Sequence, residues 1–113
     1  MKKIEAIIQP AKFDEVKAAL EGIGYPGITV SEVKGHGKQK GLTQNWLGRV
    51  IKVDVLPKIK LEIVAVDDEA DRIVRAILDT ARTGKTGDGK IFVKNVEQAL
   101  RISSGEEGDQ AVN

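Results

Sequence analysis

From Asp67 to Ala81 the residues Ala70, Ile73, Val74, Ile77, Leu78 and Ala81 recur at intervals of three and four, an apolar stripe down one side of a helix. A stripe of that width has to be covered, and a chain of 113 residues, one domain from 1 to 113, has one way to do it: a sheet made from its own alternating runs. Lys3 to Ile8 alternates, as do Ile28 to Val33 and Val50 to Val66, while Ile91-Phe92-Val93 supplies one more short strand. Pro57 interrupts the third run and argues against regular sheet in its first part. A second stripe, Phe13, Val16, Leu20 and Ile23, follows Pro10 and ends among Gly22, Gly24, Pro26 and Gly27. Asp67-Asp68 is placed to cap the longer helix. The order β-α-β-β-α-β predicts an α+β, ferredoxin-like sandwich with both helices on one face of the sheet. The other face and the strand edges are left open, so self-association is expected.

Lys+Arg 18 against Asp+Glu 17 leaves no overall pull toward nucleic acid or an anionic surface, so any charge preference has to be local. The absence of cysteine removes disulfides, thiol nucleophiles and cysteine-based metal sites. Met1-Lys2-Lys3-Ile4 lacks the apolar run of a signal peptide, and no segment approaches the ~18 apolar residues of a span, so a cytoplasmic protein is expected.

Two stretches could carry chemistry. Gly84 to Lys90 spells the first part of a phosphate loop, but Ile91 stands where a metal-binding hydroxyl is needed, and the glycines follow a helix and open a strand instead of the reverse. What survives is general: glycines let backbone N–H groups approach an anion, and Lys85 and Lys90 supply charge; a plain basic turn fits the same composition. The second stretch, Lys34 to Lys60, holds Lys34, Lys38, Lys40, Arg49, Lys52, Lys58 and Lys60 against the single acid Asp54. With four glycines and the chain's one Trp, Trp46, it reads as a long cationic loop that offers a contact surface, or as a solvated hairpin arm. His36 is the sole histidine and sits between two glycines, an ordinary loop residue by default. The paired acids Asp67-Asp68 and Glu106-Glu107 are better explained by helix capping and a solvated tail than by acid-base work. From Ser103 to Asn113 the chain is polar enough to be a mobile tail.

Thr83-x-x-x-Gly87-Asp88-Gly89-Lys90-Ile91-Phe92-Val93 resembles the C-terminal signature of PII signal-transduction proteins, Val33 to Gly41 resembles the base of their T-loop, and Leu56-Pro57-Lys58 its exit. The resemblance runs without an obvious gap to about Gly105. It implies a homotrimer that binds ATP or ADP in the clefts between subunits, Mg²⁺ with ATP, and 2-oxoglutarate beside Mg-ATP. It further implies a regulated enzyme, transporter or regulator met through a T-loop at about 37–55, no direct nucleic-acid partner, and membrane contact only through a transporter. Carried over, Thr29 and Val64 lie against the adenine, and Gly35, Gly37 and Lys38 at the base of the loop. Gly87, Gly89 and Lys90 hold the phosphates and Arg101 reaches across, with Glu62, Asp88 and Ser103 also counted among the nucleotide-binding residues. Gln39, Lys40, Gly41 and Lys58 form the 2-oxoglutarate site, with Gln39 also on the Mg²⁺ and Lys58 on the distal carboxylate. Trp46, Leu47, Arg49 and Ile51 meet the partner.

This chain departs from the family pattern at Lys38, where Arg is usual, at Ser103, where a base is common, and at Gln9, where a cation often assists. Ile51 and Arg49 replace the hydroxyl residues that carry covalent modification in many members, Trp46 a frequent Tyr, and Leu47 the arginine that plugs ammonium channels. These mark a divergent paralogue, whose alternative assignment is adenylate sensing for a transporter such as a metal-efflux or ammonium system. A phosphotransfer enzyme lacks a base here, and an RNA-binding sheet lacks strand aromatics beyond Phe92. If ligand biases the loop, hydrogen exchange across 37–55 slows on adding ATP; equal, strong protection with and without nucleotide would sink that expectation.

Overall fold

The structure, a computed structural model, describes residues 1–25, 27–36, 43–46, 49–52 and 55–112. Strand β1 (Lys2–Ile8) leads through a short 3₁₀ turn (Pro10–Lys12) into helix α1 (Phe13–Gly22). Strands β2 (Thr29–His36), β3 (Thr43–Trp46), β4 (Arg49–Lys52) and β5 (Val55–Ala65) follow, then helix α2 (Asp67–Ala81), strand β6 (Gly89–Asn95) and a closing turn of helix, α3 (Asp109–Val112). The main sheet runs β2-β5-β1-β6 and every neighbouring pair in it is antiparallel. This is the ferredoxin-like α+β arrangement expected, with a separate β3-β4 hairpin set between its second and third sheet strands.

Alternation divides the sheet into two faces. Ile4, Ala6 and Ile8 of β1 and Leu61, Ile63 and Ala65 of β5 point to one side and are buried against Val16 and Leu20 of α1 and Ala70, Ile73, Ile77 and Ala81 of α2. The helical residues are those of the two stripes, so the spacing of three and four has become one core layer, each large side chain in it contributing about 1.5–3 kcal/mol by leaving water. Both long helices, α1 and α2, lie on this side of the sheet, and the short α3 touches β5.

Several elements differ from the sequence expectation. Strand β2 runs past Val33 to His36 because β5 keeps pairing with it as far as Val55, so His36 ends a strand. Pro57 lies inside β5; β1 stops pairing at Ile59, so at Pro57 only the β2 ladder is present to be disturbed. The run from Val50 divides between β4 and β5. Within the expected loop at 37–55, Thr43–Trp46 and Arg49–Lys52 pair as strands. The N-cap of α2 is Val66, not an aspartate. Asp67 and Asp68 sit in the first turn, where they complement the helix dipole, and Asp67 also accepts from the Met1 ammonium at 2.8 Å. In place of a featureless tail, Leu100 bridges to Glu107, Gly105 and Gly108 donate back to Arg101 and Ala99, and α3 follows.

The face turned away from α1 and α2 carries a ladder of ion pairs. Glu5 on β1 takes Lys60 of β5 at 2.7 Å and Lys94 of β6 at 2.9 Å, and Glu62 takes Lys3 at 2.6 Å and Lys60 at 3.6 Å. The hydrogen bond from Lys60, followed by that from Lys94, holds the Glu5 carboxyl down to about 2, and the bond from Lys3 lowers Glu62. A carboxylate depressed on folding stabilises the fold above its unfolded value of 4.5 and loses that contribution as pH falls toward 2. Thermal unfolding from pH 5 to pH 2 should therefore fall less steeply for Glu5→Gln than for the parent chain, although the variant starts lower at pH 7; parallel curves would exclude Glu5 as the titrating group.

Candidate functional site

Three pieces of chain meet at one end of the sheet: the exit of β1, the outer part of β5, and the turn between α2 and β6. The pairing sets this up, since Ile8 lies between Ile59 and Gly89. The turn runs from helix to strand, against a phosphate loop and as the sequence indicated. It is held by Asp88, whose carboxylate accepts from the Thr83 N–H at 2.8 Å, the Gly84 N–H at 2.9 Å and the Thr83 hydroxyl. Those donors, the Thr83 hydroxyl first, pull its pKa down and keep it charged. Asp88 thus serves the turn itself, a role the sequence reading did not assign it.

Two of the turn's glycines are required for different reasons. Gly84 adopts φ +85 with open space beside it, whereas Gly89, at φ +114, presses so closely on β1 that a Cβ would stand 1.8 Å from the Ile7 carbonyl oxygen. Next to this contact the Gly87 carbonyl accepts two side-chain donors, Lys58 Nζ at 2.9 Å and Gln9 Nε2 at 2.5 Å. Lys58 is only 8% exposed, the one buried charged side chain among the described residues. Its stem lies over Gly35 of β2, where an added Cβ would meet Lys58 Cγ at 2.9 Å. Among the described residues Lys58 has no carboxylate partner. Lys58 Nζ is thus held by a neutral carbonyl and not by an opposite charge.

Gly35, Lys58, Gly87, Asp88 and Gly89 are thus brought together. Gln9 was considered only as a departure from a family pattern, and its contact with Gly87 depends on how β1 ends. Lys90 is exposed in register with Ile7 and Lys60, one step along β6. Thr29 and Glu62 are direct cross-strand partners, Glu62 lying about 13 Å from Lys58 at the usual strand rise and Val64, two positions further along β5, about 20 Å. Arg101 is held by its own tail, donating to the Gln110 carbonyl at 3.0 Å and lying 3.9 Å from Glu106, and Ser103 is exposed on the same turn. Gly37, Lys38, Gln39, Lys40, Gly41 and Leu47 lie outside the described residues. Trp46 ends β3, while Arg49 and Ile51 belong to β4, placing them on the hairpin. Among the described residues no group of His, Asp or Glu could hold a metal ion, and no helix is long and apolar enough to cross a membrane.

Comparison with known proteins finds one family model over residues 1–106, that of "Nitrogen regulatory protein P-II". Proteins of that name from Cereibacter sphaeroides and Rhizobium meliloti (strain 1021) are 55% and 54% identical to this chain over 112 residues, and that from Pasteurella multocida (strain Pm70) is 53% identical; each match covers 99% of this chain and 100% of the relative.

The turn's geometry separates two substitutions. Gly84→Ala should cost about 1–2 kcal/mol, the strain of a left-handed residue in open space. Gly89→Ala should cost clearly more, because the strand or the turn must move; denaturant titration giving the two equal losses would contradict the Ile7 contact.

Proposed function

Because the chain belongs to the nitrogen regulatory protein P-II family and is a signal-transduction regulator of that type, we propose that it senses ATP and ADP, together with 2-oxoglutarate, and passes their occupancy to a partner through the segment at 37–55. The observation that carries this reading is Lys58, buried, without a carboxylate partner among the described residues, and aimed at the glycine turn. A ligand carboxylate supplies the missing charge, taking one of the three ammonium protons while the Gly87 carbonyl keeps another. Gly87 and Gly89 let phosphate oxygens approach the backbone, and Lys90 adds a positive charge beside them. Mg²⁺, when bound with ATP, would neutralise phosphate charge and draw a carboxylate ligand to the same place; Gln39 is the side chain assigned to it. Thr29, Glu62 and Val64 fit the nucleoside end because their strand positions follow the phosphate corner along the same sheet face. The protein acts without turnover, by shifting the population of loop states. It works as a homotrimer in the cytoplasm, with the hairpin carrying Trp46, Arg49 and Ile51, and adjoining Leu47, toward the regulated protein.

Calorimetric titration tests this directly. ATP and ADP should each bind, and 2-oxoglutarate should bind only when Mg-ATP is present. Lys90→Ala should weaken ATP by roughly tenfold, the loss of one charge-assisted contact. Lys58→Met should abolish the 2-oxoglutarate step and leave ATP binding in place. No binding of any nucleotide overturns the proposal, and nucleotide binding without a 2-oxoglutarate step removes its carboxylate half, leaving an adenylate sensor.

A further inference from the structure

Two side chains from different parts of the sheet donate to one carbonyl. Gln9 Nε2, from the residue that follows β1, reaches the Gly87 oxygen at 2.5 Å, and Lys58 Nζ of β5 reaches the same oxygen at 2.9 Å. A carbonyl oxygen only accepts, so Gln9 has to present its NH₂ group here, and both lone pairs of the oxygen are engaged. Gln9 is itself set in place by its own backbone. That backbone is extended at φ -66, ψ 137, as the following Pro10 requires, and its carbonyl accepts from the Lys12 N–H at 3.0 Å.

What the two donors fix is a peptide plane. Gly87 stands at φ 99, and without a Cβ its own preferences do little to set the direction of the peptide that joins it to Asp88. That peptide is trans, so its carbonyl and its N–H point to opposite sides. With the Gly87 oxygen drawn toward Gln9 and Lys58, the Asp88 N–H is turned away from them. A phosphate oxygen reaching the glycine turn needs that N–H toward it, whereas a flipped plane would present a carbonyl oxygen and repel the anion. The Asp88 carboxylate does not do this work, since it is taken up by Thr83 and Gly84 within the turn.

We propose that Gln9 is a positioning residue for phosphate binding: its amide holds the Gly87–Asp88 peptide with the N–H outward, and does so independently of Lys58. The two donors differ in what a ligand does to them. The Lys58 ammonium is drawn to a carboxylate by its charge, whereas the neutral amide of Gln9 gains less from one and stays on the carbonyl. Gln9 thereby lets Lys58 turn toward an acidic ligand while the phosphate turn keeps its shape. This role rests on the nucleotide reading above and goes beyond it in naming the group that keeps the turn competent.

Gln9→Met removes one donor at similar volume and Lys58→Met removes the other. In calorimetric titration with ATP each single variant should lose less than about fivefold in affinity, and the double variant roughly tenfold more than the product of the two, because either donor alone orients the peptide. Hydrogen exchange of the 83–89 amides in the ligand-free proteins separates orientation from general stability. Parent and single variants should match there, and the double variant should exchange faster in that turn while β1 and α2 keep the parent's protection. Gln9→Lys in the Lys58→Met background returns a donor to the carbonyl and should restore both readouts. Additive losses of affinity, or a turn that exchanges in the double variant as it does in the parent, overturn the role of Gln9. Should the double variant not fold, the Gln9→Lys, Lys58→Met protein decides: ATP affinity and turn exchange close to the parent's support the role, and loss of either overturns it. A parent that binds no ATP overturns the nucleotide reading and the phosphate role with it, while the exchange pattern still shows whether Gln9 holds the turn.

Discussion

Strand β1 has a hydrogen-bonded neighbour along each of its edges, β5 on one side and β6 on the other, and both pairings start at Lys2 and finish at Ile8. That double register places Ile59, Ile8 and Gly89 in one line across the sheet, and beside that line Gln9, Lys58 and Gly87 meet. It also explains why residue 89 is glycine. With β6 beginning directly against the Ile7 carbonyl, there is no room for a side chain at its first position.

The same alternation that builds the core separates two kinds of chemistry. On the helix side, isoleucine, leucine and alanine pack against two stripes of similar residues. On the other side, Lys3, Glu5, Lys60, Glu62 and Lys94 neutralise one another in a cross-strand network, so that face is polar without carrying a large net charge. Lys58 has the same strand parity as Lys60 and Glu62 but lies beyond the end of β1, past the last glutamate of the ladder. Its ammonium therefore turns to a backbone carbonyl, that of Gly87, in place of a glutamate.

Much of this could be read from residues alone. The spacing of Ala70, Ile73, Ile77 and Ala81 identified the buried face of α2 because helix periodicity is local and the core demands it. The glycines of the 83–90 turn were legible as a close backbone approach, and their order relative to helix and strand excluded a phosphate loop. The extent of β2 was not legible, since Gly35 and His36 carry no strand signal and are recruited by pairing with β5. The tail looked featureless because its order comes from backbone hydrogen bonds that composition does not register. The turn contacts of Asp88 were not legible for a related reason: which N–H groups a carboxylate reaches depends on the path of the turn.

Sequence by itself determined the order of the four main-sheet strands and the two long helices, the two faces of the sheet, the absence of thiol chemistry and the resemblance to a regulatory family, because each depends on residue type and on spacing within a few positions. Only the tertiary structure decided that Gln9 and Lys58, 49 residues apart in the chain, converge on the carbonyl of Gly87, and that β6 begins directly against the Ile7 carbonyl. Those outcomes depend on where strands stop and which edge is left without a neighbour, quantities set by long-range pairing and by no local pattern.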